Sequence, residues 1–221
     1  MNEQKNAPAA YEVVYYTDPL CCWSFGMEKH WQRVLQTYAS AITKRYCMGG
    51  LLPDWDHYND PQHMVSRPVQ MGPVWMEAAH LTDTPIRSRI WMEDPPVSSY
   101  LACIAVKCAA LQSETAEERY LNALREAVML EGRNISYASA LTEVAEFLGQ
   151  REPNVIDAAR FADDLIAGRG MENFRKDLGE VRDRGITRFP SLVIRSTNKK
   201  PVIITGYRNY EALVEIFESL R

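Results

Sequence analysis

The sequence predicts an α/β protein: a small sheet-forming unit interrupted by a helical insertion. Three observations carry this. The chain opens with two strand-like runs around one helical stretch. A long middle section then repeats apolar residues at helical spacing. Near the end two short β-branched runs and a final amphipathic stretch follow. The order is β-α-β, several helices, β-β-α. It predicts one unit from residues 11–52 and 186–221, and an insertion over 53–185 of roughly 120–130 residues.

Taken in order, "YEVVYY" (Tyr11–Tyr16) is a β-branched and aromatic run and reads as a buried strand. "TDP" breaks it. Met27, Trp31, Val34, Leu35 and Tyr38 then share one helical face. "AITKRYCM" (Ala41–Met48) reads as a second strand, stopped by "GG". Residues 53–96 hold many prolines and three of the four histidines, and read as a loop followed by short helices. "VSSYLACIAVKCAAL" predicts a helix over Val97–Leu111, with Leu101, Ile104, Cys108 and Leu111 on its apolar face and Ser98 or Ser99 as N-cap. Leu121, Leu124 and Val128 mark the next helix, and Leu141, Val144, Ala145 and Leu148 another. Pro153 suits the first turn of a further one. Phe174, Leu178 and Val181 mark the last of the group. "SLVIR" (Ser191–Arg195) and "PVIIT" (Pro201–Thr205) are short strands joined by "STNKK", a polar link of hairpin length. Gly206 ends the second. Tyr210, Leu213, Phe217 and Leu220 give a final amphipathic helix.

The 221 residues are enough to bury a core without disulfide staples. The hydrophobic fraction is 46% and the charged fraction 24%, an ordinary globular balance. Net charge is −4 and no basic stripe with interleaved aromatics occurs, so nucleic acid is not an expected partner. No apolar run of ~18 residues predicts a membrane span. The first ten residues, "MNEQKNAPAA", lack the apolar core of a secretory signal. Five cysteines form an odd set without framework spacing. The expectation is a cytoplasmic protein with reduced thiols.

The stretch "TDPLCCWSFG" (Thr17–Gly26) carries the chemistry. A thiol works as its thiolate, and a helix N-terminus supplies free N–H donors and the positive end of the dipole. Cys21 stands between the breaker and the helix, so its pKa is expected to be depressed. Cys22 is one residue further in and should point elsewhere. No intact C-x-x-C exists: counted from Cys21 the second position is Ser24, and from Cys22 it is Phe25. A Cys21–Cys22 bridge is strained, because neighbouring Cα atoms lie ~3.8 Å apart and disulfides prefer roughly 4.4–6.8 Å. Cys21 acting alone could form a mixed disulfide that an external thiol such as glutathione resolves. Ser24 could donate a hydrogen bond to the Cys21 thiolate. The bland alternative is two inert packing cysteines.

A second feature bears on this. "RGITRFPSLVI" (Arg184–Ile194) sets a proline at the start of a strand, where prolines are commonly cis and functional. Together these features resemble the thioredoxin fold, and more narrowly the DsbA family, whose members carry a helical insertion. FrnE-like proteins form a cytoplasmic branch, and 2-hydroxychromene-2-carboxylate isomerase and kappa-class glutathione transferase are relatives. The resemblance runs from about Tyr11 to Leu220 and is sharpest in "DPLCCWSFG", "ITRFPSLVI" and "DPPVSSYLACIAVKCA". It implies that Cys21 is the nucleophile and that Ser24 stands where a resolving cysteine would be. Cys22 and Trp23 would be the intervening pair, and Phe189–Pro190 the cis-proline pair facing the nucleophile. Catalytic roles thus fall to Cys21, Ser24 and Pro190, and substrate contact to Cys22, Trp23 and Phe189. Phe189 is bulkier than the residue common in the family, which implies a narrower site.

The resemblance implies a thiol-disulfide oxidoreductase working through one cysteine, a reductase or isomerase. It would have no bound cofactor or metal and would use glutathione as co-substrate. Its partners would be protein or small-molecule thiols and disulfides, and it would act as a monomer or homodimer. Two alternatives remain: a glutathione-dependent isomerase or transferase, and a non-enzymatic adaptor that keeps the fold as a binding module. Among other residues, Cys47, Cys103 and Cys108 read as core. His57 and His63, with Asp54, Asp56 and Asp60, lack metal-ligand spacing and read as a surface loop. His30 lies two turns from Cys21 and reads as packed or solvated. Trp55, Trp75 and Trp91 read as core, with a groove facing Cys21 as their other possible use.

Overall fold

The computed structural model describes residues 10–197 and 199–221. The polar opening segment, residues 1–9, lies outside them, as does Asn198 within the predicted hairpin link. The chain opens with β1 (Tyr11–Thr17), α1 (Cys22–Tyr38) and β2 (Ile42–Met48). Seven helices follow: α2 (Met71–Thr82), α3 (Ile90–Glu93), α4 (Tyr100–Ala110), α5 (Glu114–Met129), α6 (Ala138–Arg151), α7 (Ala158–Ile166) and α8 (Met171–Asp183). β3 (Ser191–Ser196), β4 (Lys199–Thr205) and α9 (Tyr210–Ser219) close the chain. The fold is α/β, thioredoxin-like, with the helices α2–α8 inserted between β2 and β3.

The four strands form one sheet in the order β2-β1-β3-β4. β1 and β2 run parallel, with Tyr15 beside Tyr46 and Thr17 beside Met48. β3 is antiparallel to both β1 and β4. Alternation sends Tyr11, Val13 and Tyr15 of β1 into the main core, against Trp31, Val34 and Phe217 from α1 and α9. Tyr16 points the other way and joins Cys47, Val193 and Ile186 under α8. Edge strand β4 begins Lys199-Lys200-Pro201, all exposed, a composition that discourages pairing with another chain.

One apolar cluster runs without a break from the sheet through the insertion. α4 lies at its centre: Ala102, Cys103, Ala105, Val106, Cys108 and Ala109 are all fully buried. This corrects the face read from the sequence. Leu101 and Ile104 are only half-buried and Leu111 is 37% exposed. Small side chains let neighbouring helices approach closely, so the buried face of α4 is its alanine and cysteine side. The capping also differs. Ser98 Oγ accepts from the N–H of Tyr100, while Ser99 Oγ donates to Asp18 Oδ2 at 2.9 Å instead of capping the helix.

Pro153 does not start a helix either. It sits in the turn after α6, and α7 begins five residues later under Asp157, whose carboxylate accepts from Arg160 N. A side-chain cap outcompetes a proline that lacks a following apolar face. α2 is a full 12-residue helix, longer than the short helices expected there. Gly26 marks its crossing with α1: a Cβ there would lie 2.5 Å from Thr82 Oγ1.

Candidate active site at Cys21

The turn that delivers Cys21 is built by Asp18. Cys21 N donates to the Asp18 carbonyl at 3.1 Å across Pro19-Leu20, and Pro19 presets the turn. The Asp18 carboxylate is fully buried. It accepts from Leu20 N (2.9 Å), Leu51 N (2.7 Å), Ser99 Oγ (2.9 Å) and Cys103 Sγ (3.3 Å). One side chain therefore ties the start of α1 to the end of β2 and to α4. Burial raises its pKa, and the hydrogen bonds oppose that rise.

Cys21 is the N-cap of α1, and its sulfur accepts from Ser24 N at 3.4 Å. Its thiol donates to the carbonyl of Phe189 at 3.3 Å. The Phe189–Pro190 peptide is cis. The Phe189 ring lies over Gly49, where a Cβ would collide with the ring. The "GG" stop thus has a second role, since the absence of a side chain at Gly49 admits that ring. Cys21, Ser24, Phe189 and Pro190 come together as neighbours from opposite ends of the chain.

A depressed Cys21 pKa is what the helix start predicts, and the structure reverses the direction. Cys21 is 4% exposed, and burial pushes its thiol above the ordinary value. The Ser24 hydroxyl and N–H act to lower it, Asp18 adds to the rise and Arg125 opposes it. Loss of hydration outweighs two weak donors to sulfur. The Ser24 hydroxyl is buried and, among the described residues, has no hydrogen-bond partner of normal geometry. Cys22 is buried as well, and its thiol is raised further by burial and then by Cys21. Both cysteines are free thiols.

Cys21 opens on a cleft of about 940 Å³. Cys22, Trp23 and Phe189 also line it, as do Met71 and Val74 of α2, Tyr58 and Tyr207. Ser24 and Pro190 are buried and are not among its lining residues. Trp55, Trp75 and Trp91 do not line it. They pack edge-to-face with centroids 6.0 Å and 5.1 Å apart, and Trp75 and Trp91 are buried. His30 pairs its Nε2 with the Tyr207 hydroxyl at 3.0 Å.

His57 and His63 pair with Asp54 and Asp60, each at 2.7 Å, and among the described residues no cluster of three metal-ligating side chains occurs. Cys47, Cys103 and Cys108 are fully buried in the core. Sequence reading missed Asp18, Gly49 and three residues that line the cleft, Glu77, Arg188 and Tyr207. "TDP" and "GG" were legible signals for the first two, and a place directly before the Phe189–Pro190 pair for Arg188. Glu77 had none, because only short helices without an assigned face were expected over residues 53–96, whereas α2 runs twelve residues.

A family model described as thioredoxin matches residues 15–215. The ClpXP adapter protein SpxH of Halalkalibacterium halodurans is 26% identical over 213 residues, which are 95% of this chain and 67% of SpxH. Among solved structures, the cytosolic disulfide reductase DsbM of Pseudomonas aeruginosa superposes with a TM-score of 0.69 at 19% identity, over 95% of this chain and 100% of that one. DsbM has also been solved with GSH. A 2-hydroxychromene-2-carboxylate isomerase structure gives a TM-score of 0.60 at 16% identity, over 95% and 94% of the two chains. The structural likenesses concern the fold.

Proposed function

The chain belongs to the thioredoxin family, and from that premise we propose that it is a thiol-disulfide oxidoreductase working through one nucleophile, Cys21, with glutathione supplying the second thiol. The observation that carries the reading is the position of the Cys21 sulfur. It lies between Ser24 N and the Phe189 carbonyl, at the wall of an open cleft. In the forward step the Cys21 thiolate attacks one sulfur of a disulfide. The S–S bond breaks, a mixed disulfide forms, and the other half leaves as a thiolate that takes up a proton. Glutathione thiolate then attacks the substrate sulfur of the mixed disulfide, so that a glutathione–substrate disulfide forms, the S–S bond to the protein breaks and Cys21 leaves as its thiolate; a second glutathione can reduce that product to free thiol and glutathione disulfide. Ser24 has no sulfur to do this, which is why the second thiol must come from outside. Such chemistry suits the cytoplasm, where glutathione is kept reduced. No helix among the described residues is long and apolar enough to cross a membrane.

The raised thiol sets the pH behaviour. The reactive form is scarce at neutral pH, so reaction accelerates as pH rises past ~8.5, the ordinary thiol value. Intact-mass spectrometry after exposure to oxidised glutathione tests the reading. One adduct is expected, absent in Cys21→Ser and present in Cys22→Ser, and its formation quickens with pH. Loss of two protons without an adduct would point to a Cys21–Cys22 bridge instead.

A second reading is a non-enzymatic adaptor. The SpxH name of the sequence relatives favours it, as does a buried thiol held protonated. Absence of any adduct, together with an unchanged cellular role in Cys21→Ser, would select it.

A further inference from the structure

Resting on the one-thiol reading, we propose that Arg188 and Glu77 select a disulfide whose halves carry both a carboxylate and an ammonium group, as amino-acid and peptide thiols do. The cleft's charged lining residues are Asp60, Glu77 and Arg188, with His57 and His63 beside them. Asp60 is occupied by His63, and His57 by Asp54. That leaves Glu77 as the anion and Arg188 as the cation whose side chains are not already engaged. Among the described residues neither Glu77 nor Arg188 has an ion-pair or hydrogen-bond partner for its side chain, and they do not pair with each other.

The two come from different walls. Glu77 stands on α2 one turn beyond Val74 and two beyond Met71, so its carboxylate rises from the apolar side of the cleft. Its charge is felt at Cys22, which places it within electrostatic reach of the cysteine pair. Arg188 immediately precedes Phe189, whose carbonyl receives the Cys21 thiol. Its own carbonyl accepts from Ser191 Oγ at 2.8 Å, which anchors that backbone. A guanidinium stays charged and presents a fork that matches a carboxylate. A ligand whose sulfur reaches Cys21 therefore meets an apolar floor, one cation and one anion free to pair with it.

The experiment follows the rate of mixed-disulfide formation at Cys21 with four probes: oxidised glutathione, anionic dithiodiglycolate, cationic cystamine and neutral hydroxyethyl disulfide. Each variant is compared with the parent protein on the same probe, so differences in leaving group cancel. Arg188→Ala should slow glutathione disulfide and dithiodiglycolate about three- to tenfold, the range for charge-assisted contacts at partly exposed sites. It should spare cystamine and hydroxyethyl disulfide, and Arg188→Lys should recover part of the rate. Glu77→Gln should slow cystamine and glutathione disulfide and spare the other two. Both residues are exposed, and matching thermal melts confirm folding. Equal slowing of all four probes would mean only a change in the Cys21 thiolate fraction and would overturn the assignment, as would no change. Failure of the parent protein to react with any probe would overturn the one-thiol reading and this assignment with it.

Discussion

Cys21 and Ser24 share one helical turn, and the contrast between them sets the chemistry. Ser24 N lies 3.4 Å from the Cys21 sulfur, so position 24 is placed where a second sulfur would sit beneath the first. Ser24→Cys should restore an intramolecular disulfide to Cys21. In the variant, intact mass should fall by two protons on mild oxidation, and the glutathione adduct should become transient. A stable adduct with no loss of protons would show that the helix holds position 24 out of bonding range. The motif Cys-Cys-Trp-Ser made this legible from the sequence. The direction of the Cys21 pKa was not legible. It depends on how much water reaches the sulfur, and Phe189, from the far end of the chain, helps decide that.

At the scale of elements, the insertion is joined to the sheet by a buried charge cluster. Lys107 of α4 donates to the Tyr46 carbonyl (2.8 Å) and pairs with Glu117 of α5 (2.7 Å) and Asp177 of α8 (2.9 Å). Asp177 in turn accepts from Met48 N at 2.8 Å. Lys107→Met would strand two carboxylates without their cation. It should destabilise the protein by about 3–5 kcal/mol, measured by urea unfolding; a loss below ~1 kcal/mol would mean that water or a rearrangement replaces the ammonium. The sequence marked α4 as a helix but put its larger apolar residues inside. Long side chains look like core in one dimension. At a crowded centre, close approach selects alanine and cysteine, so Lys107 was hidden among them. Pro153 failed as a helix start for a related reason: the Asp157 cap, together with the packing of Phe161 and Leu165 behind it, sets where α7 begins.

For the whole molecule, all five cysteines are buried, and burial raises every one of their thiol pKa values. The sign follows directly. Unfolded thiols ionise near ~8.5, while folded ones keep their protons, so the native state binds more protons above that pH. Stability should hold at neutral pH and fall as pH rises through ~8.5 toward the raised native values. Cys108, pushed up to about 11, contributes over that window. Thermal midpoints followed from pH 7 to 10 check this: a steady decline is expected, shallower in Cys108→Ala, and a flat profile would sink the idea.

By itself the sequence determined the element order, the split of a small sheet by helices, the place of Cys21 before α1 and the missing second thiol. These are local properties, carried by apolar periodicity, turn residues and spacing within ten positions. Tertiary structure decided the rest. It buried Asp18 as the tie between β1, β2 and α4, laid Phe189 over Gly49, turned α4 onto its small side, and brought Glu77 and Arg188 into one cleft. Each of these depends on residues roughly thirty to more than a hundred positions apart meeting where water is excluded. Desolvation and close contact belong to the assembled core, and no run of neighbouring residues encodes them.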